Sequence, residues 1–282
     1  MIAFLGTGLL GSNFVKALLK KGEQVQVWNR TASKAKALEA NGAKAFSEPS
    51  GAVMGADRIH LTLSDDNAVD ETLEKASGSF QPGAIIIDHT TTSAAGVPAR
   101  TNYWKEHGFY YIHAPVFMGP PNALDSTGYM LVSGNQEIIK KITPALSSMT
   151  GKLINLGTEQ NRAAGMKLIG NLFLMSLTAG LSDMLALAKS LQIPASEIEA
   201  LLTTWNPGAA VPARLKRILG NQFGSPSWEL NMARKDAGLM MQEAQTGNAS
   251  LTILPAIAKE MDRWIENGHG KEDWTIIAKD NV

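Results

Sequence analysis

The chain has 282 residues, enough to bury a substantial core and to form two domains, and its 26 Lys+Arg balance its 26 Asp+Glu, so neither a nucleic-acid surface nor an acidic tail is indicated. It contains no cysteine, which excludes disulfides, thiolate nucleophiles and cysteine-ligated zinc. With no basic leader or cleavage site ahead of its first apolar run, a cytoplasmic protein is expected.

That first run, Ile2–Leu5, predicts a strand, and Gly6-Thr7-Gly8-Leu9-Leu10-Gly11 follows at once, ahead of a helical pattern over 13–21. The three glycines serve different steric needs. Gly6 makes the tight turn, Gly8 leaves the backbone open to a pyrophosphate, and Gly11 lets the helix lie close to the strand. The helix N-terminus adds unpaired N–H groups and a partial positive charge for the phosphates. Strand, glycine turn and helix in this order predict a dinucleotide-binding turn of the Rossmann type. The next strand, 24–28, leads into Asn29-Arg30-Thr31, where an NAD-preferring site would place a carboxylate for the ribose 2′-hydroxyl. None is present. Arg30 can pair instead with a 2′-phosphate, with Asn29, Thr31, Ser33 and Lys34 around it, so NADP(H) is expected over NAD(H).

Further strands are predicted at 44–46, 58–63, 84–88, 110–114, 128–133 and 152–156, with helical patterns between most of them. Past residue 161 strand signals stop and helices are predicted at 162–191, Ala195–Thr204 and 234–246, with Pro212 marking a helix start. The expected architecture is α/β: an N-terminal Rossmann doubly wound sheet over 1–160 and a C-terminal all-α domain over 161–282 for substrate and dimerisation, with the active site in the cleft between them. The apolar stretch 168–187 carries Asn171 and Asp183, which argues against a membrane span and for a helix buried on most sides between domains or subunits.

Lys167 and Asn171 are four residues apart, so on a helix they share a face and can meet one small ligand. An ammonium near an apolar helix must find an anion or stay wet, which makes Lys167 a candidate proton donor to a carbonyl; a lysine snorkelling from the helix end is the alternative. His60, His89, His107, His113 and His269 have no metal-ligand spacing, and no metal site is expected. His89 and His113 fall near strand ends, as substrate contacts or as hydrogen-bonded loop residues. Trp205 and Trp228 read as core residues, with a pocket wall as the alternative for Trp205 beside Pro207-Gly208.

Together, the run from Phe4 to Gly11, Asn29-Arg30-Thr31, the stretch Asp88-His89-Thr90-Thr91-Thr92-Ser93, Ala114-Pro115-Val116, the segment from Gly165 through Lys167 to Asn171, and Arg234-Lys235-Asp236 resemble the β-hydroxyacid dehydrogenases over nearly the full chain. The resemblance implies an NADP-dependent dehydrogenase or reductase of a small carbonyl or hydroxy acid, working as a homodimer or homotetramer. It implies that Lys167 is the catalytic lysine and Asn171 its supporting amide. It further implies that Leu63, Ser64, Asn67 and Thr91 lie along the cofactor, and that Lys235 approaches cofactor and substrate. Where the family usually has Pro-Val-Ser-Gly-Gly, this chain reads Pro115-Val116-Phe117-Met118-Gly119-Pro120-Pro121. Phe117 and Met118 replace a hydroxyl with apolar bulk beside Gly119, and with Thr91 they are the candidate substrate contacts. That loop is also similar to the imine reductases, which leaves C=N reduction as an alternative, and a non-catalytic NADP-binding module as another.

Overall fold

The four residues of β1, Ile2–Leu5, are wholly buried, as expected of a parallel strand covered on both faces. The strand is central in a six-stranded parallel sheet made with β2 (Val25–Trp28), β3 (Lys44–Ala45), β4 (Arg58–Leu61), β5 (Ile85–Asp88) and β6 (Tyr110–His113), in the order β3-β2-β1-β4-β5-β6. Ile2 stands opposite Val25 on one side and Arg58 on the other. The crossovers are α1 (Leu9–Lys20), α2 (Ala32–Lys36), α3 (Pro49–Val53), α4 (Asp66–Ser77) and α5 (Gly96–Glu106). Alternate β1 residues feed opposite cores: Ile2 and Phe4 join Phe14, Val27 and Ile87, whereas Ala3 and Leu5 join Ile59, Leu61 and Trp104. The strand order reverses between β1 and β4, and ligands of such sheets bind at the carboxyl ends of the strands flanking that reversal.

A second, three-stranded sheet follows, built from β7 (Val116–Phe117), β8 (Tyr129–Val132) and β9 (Lys152–Asn155), with α6 (Pro120–Asp125) and α7 (Gln136–Ser147) between them. The segments 128–133 and 152–156 are therefore strands, but of this smaller sheet. Strand β7, antiparallel to β8, is absent from the sequence reading because two residues are too few to display a period.

All 282 residues are described by the computed structural model, and they divide into two compact units, Met1–Asn171 and Leu172–Val282. Helix α8 (Arg162–Ser190) begins within the first unit. The second unit adds α9 (Ala195–Thr204), α10 (Val211–Leu219), α11 (Leu230–Thr246) and α12 (Leu254–Glu266), and it contains no strand of the two sheets. Its core gathers Phe223, Leu230, Ala237, Met261, Trp264 and Ile276. Asp183 joins α8 to the start of α12: its carboxylate accepts from the backbone N–H groups of Thr252, Ile253 and Leu254 at 2.5, 2.9 and 3.0 Å, satisfying donors that a helix start leaves open.

Helix α8 is expected to be buried between domains or subunits, and in the single chain Leu172, Phe173, Leu174, Met175 and Leu177 are exposed. Periodicity registers apolar residues without saying what covers them. Trp205 and Trp228, expected in the core, are exposed, Trp205 at the end of α9 and Trp228 in the loop before α11.

Candidate functional site

The turn between β1 and α1 forms a cradle that only glycine permits. Gly6 has a φ of +96°, in the left-handed region, and a Cβ there would overlap the Thr62 carbonyl; a Cβ at Gly11 would overlap the Gly6 carbonyl oxygen and Thr62 Oγ1. In front of Gly8, by contrast, nothing lies within 4 Å of the position a Cβ would take. Gly8 caps α1 without a side-chain bond, and no acidic residue occupies the first turn, so the N-terminal N–H groups face outward unneutralised. An open backbone ending in free N–H groups suits a pyrophosphate. Thr7 and Gly11 are buried, while Leu9 is exposed and Leu10 partly so.

Asn29 binds this turn to the end of β2. Its Oδ1 accepts from Thr7 N at 2.9 Å and its Nδ2 donates to the Thr31 carbonyl at 3.1 Å, so the side chain is engaged inside the protein as a brace. Arg30, between the braced residues, is exposed and makes no ion pair with a protein carboxylate. The loops after β4 and β5 are stitched together by the Leu63 N–H, which donates to Thr90 Oγ1 at 3.0 Å. Ser64 and Thr91 are exposed on these loops, and Asn67 is exposed in the first turn of α4.

Lys167, on the first turns of α8, is half-buried and points to β7. Its Nζ donates to the Val116 carbonyl at 2.7 Å and lies 4.5 Å from the centre of the Phe117 ring. No carboxylate pairs with it, and burial lowers its pKa below that of an ordinary lysine. Gly170, one turn along, makes room for the Phe117 ring, which any larger residue would strike. Asn171 follows on the same helix, half-buried. Met118 and Gly119 are half-buried beside Phe117, and the Gly119 N–H is already given to Asn122 Oδ1 at 2.9 Å.

Residues 1–157 match the family model of the NAD binding domain of 6-phosphogluconate dehydrogenase. Over 99% of its length the chain is 25% identical to 3-sulfolactaldehyde reductase of Escherichia coli, covering 94% of that protein. Over the same share it is 27% identical to glyoxylate/succinic semialdehyde reductase 2, chloroplastic, of Arabidopsis thaliana, covering 78% of it. The chain belongs to the β-hydroxyacid dehydrogenase family. Among solved structures, an imine reductase from Myxococcus stipitatus in complex with NADP+ superposes with a TM-score of 0.93 at 21% identity over the whole of both chains, which establishes a common fold.

In this β-hydroxyacid dehydrogenase family member, Gly6 to Gly8, Asn29 to Thr31, Leu63, Ser64 and Thr91 lie at the carboxyl ends of the strands or in the loops that follow them, and Leu9 to Gly11 and Asn67 lie in the first turns of α1 and α4. Phe117 and Lys167 are in contact within the same unit. Lys235 stands on α11 of the second unit, where its ammonium pairs with Asp236 at 2.8 Å. His89 and His113 are buried, at 3% and 1% exposure, so neither is positioned to touch a substrate. The Val116 carbonyl was missed by sequence reasoning, because a backbone acceptor has no residue-type signature. Gly11→Ala is expected to weaken nicotinamide-cofactor binding by about tenfold or more, since either α1 or the Gly6 carbonyl must move; cofactor titration by fluorescence checks it.

Proposed function

We propose that the protein is an NADPH-dependent oxidoreductase that interconverts a small carbonyl compound and the corresponding hydroxy compound, with Lys167 as the proton donor and acceptor. The observation that carries this reading is an ammonium without a carboxylate partner, half-buried and aimed by a single carbonyl, Val116 O. Burial without neutralisation favours proton release, which a general acid requires. The nicotinamide, when bound, supplies or accepts the hydride. Lys167 protonates the developing alkoxide during reduction and removes the hydroxyl proton during oxidation. Asn171, on the same face of α8, orients the oxygen. Thr91 lies along the bound cofactor and, with the segment from Phe117 to Gly119, walls the substrate. The two curated relatives named above are, by name, reductases of aldehydes, which supports a carbonyl substrate.

NADP(H) is assigned on Arg30, an exposed guanidinium without a carboxylate partner, at the β2 end where a ribose-binding acid would otherwise stand. Arg30→Glu should weaken NADPH by about tenfold or more while leaving NADH nearly unchanged, because a charge-assisted pair with the 2′-phosphate is lost. Equal weakening of both cofactors, measured by titration, would reject the assignment. The apolar Phe117 and Met118 favour one second reading, reduction of C=N. NADPH absorbance with succinic semialdehyde, an apolar ketone and a cyclic imine side by side separates the two: turnover of the imine alone replaces the carbonyl reading, and turnover of none leaves a binding module. The exposed apolar residues of α8 support assembly with a second copy.

A further inference from the structure

We propose that His113, although buried and out of reach of any substrate, is a positioning residue that sets Thr91 against the bound cofactor; this rests on the placement of Thr91 beside the cofactor under Proposed function. The loop following β5 is unusual in how its residues alternate. Thr90 and Thr92 are buried, at 2% and 4% exposure, whereas Thr91 between them is exposed. Thr91 is therefore displayed by a bracket whose two feet lie inside the protein.

Both feet rest on one imidazole nitrogen. His113 Nε2 lies 2.9 Å from the Thr90 carbonyl oxygen and 3.1 Å from Thr92 Oγ1. A carbonyl can only accept, so Nε2 carries the proton and shares it between the two oxygens on either side of Thr91. His113 Nδ1 is then an unprotonated nitrogen, buried without a hydrogen-bond partner. The remaining polar atoms of Thr90 are held from other directions: its N–H donates to Asp88 Oδ1 at 2.8 Å, and its hydroxyl accepts from Leu63 N at 3.0 Å. Asp88 is itself fixed by the Tyr111 hydroxyl at 2.6 Å. Beyond Thr92, the Ser93 N–H donates to Asp66 Oδ2 at 2.9 Å.

Removing Asp88 or Asp66 would free one end of the loop, but His113 alone spans the residue that is displayed. Its loss lets Thr91 rotate away without disturbing the glycine turn or Arg30, which belong to other strand ends. The cost falls on the contact between Thr91 and cofactor. That separates His113 from an ordinary core histidine, whose loss would lower stability and affect binding indifferently.

A double-mutant cycle on NADPH affinity tests the proposal, with Thr91→Val as the second arm. His113→Leu is expected to raise the dissociation constant by about tenfold in the wild-type background and by less than about twofold when Thr91 is already Val. His113→Gln, whose amide nitrogen can take the place of Nε2, is expected to retain most of the wild-type affinity. Should His113→Leu fail to fold, His113→Asn, with an amide too short to reach both oxygens, replaces it in the cycle. Equal weakening in the two backgrounds overturns the proposal, as does an unchanged affinity in His113→Leu, or in His113→Asn where it takes that place. Wild-type protein that binds no NADPH defeats the cofactor reading itself and the proposal with it, an outcome distinct from an additive cycle in a wild type that binds.

Discussion

Lys167→Met lowers kcat for carbonyl reduction by about two to four orders of magnitude, the range ascribed to a positioned general acid, while NADPH affinity stays close to that of the wild type. The separation is expected because the ammonium is bonded to Val116 O and lies over Phe117, and neither group belongs to the glycine turn. Methionine fills much the same volume and retains the apolar stem, so a loss of packing does not account for the effect. Burial lowers the lysine pKa, and the protonated form is the one that donates. Reduction by the wild type should therefore decline as pH rises through a value below that of an ordinary lysine, and the Met variant should lose that decline. Steady-state rates against pH, with cofactor titrations alongside, measure both. A variant turning over at near wild-type rate removes Lys167 from the chemistry.

Acid should unfold this protein through its buried histidines before its carboxylates titrate. His60 Nδ1 and His89 Nε2 are 2.9 Å apart, and His89 Nδ1 lies 2.7 Å from the Ala114 carbonyl oxygen. His89 must donate to that carbonyl, so its Nε2 accepts from His60, whose own Nε2 is left buried without a partner. Phe4 stacks on His60 with ring centres 5.7 Å apart. A proton added here creates a charge with no acceptor in an apolar layer. Burial accordingly holds His60 well below an ordinary histidine and His89 at about 4, and lowers His113 as well. Because the folded values lie below the unfolded value of about 6.5, the unfolded chain binds more protons in the interval between them. Stability is thus undiminished above about pH 6.5 and falls as pH drops toward 4, by about 2 kcal/mol for His89 alone at about pH 5. Urea unfolding at stepped pH from about 7.5 to 5.5, where few carboxylates titrate, reads the slope directly. A flat profile over that interval would show the histidines to be protonated in the folded state.

The site was legible where chemistry is carried by residue type and short spacing. The glycine turn could be read because Gly6 and Gly11 answer steric demands that are local to one strand, one turn and one helix. The common face of Lys167 and Asn171 could be read because residues four apart on a helix lie on one side of it. Arg30 is proposed from a missing carboxylate. Other features lay outside that range. The partner of Lys167 is 51 residues away and is a backbone oxygen, and its alignment depends on β7, a strand of two residues. The bond of Asn29 Oδ1 to Thr7 N, 22 residues earlier, is hidden from the sequence for a similar reason.

The amino-acid sequence by itself determined that β1 would be buried on both faces, that a dinucleotide turn would follow it, and that strands would give way to helices beyond residue 161. These outcomes depend on apolar runs, steric freedom and helical period, all of which act between near neighbours. Only the tertiary structure decided that β7, β8 and β9 form a sheet of their own, that Asp183 anchors the start of α12, and that His60, His89 and His113 are buried with assigned protons. A buried polar atom takes whichever partner the fold brings within about 3 Å, and that choice is made by packing across the sheet rather than by anything written beside the residue in the chain.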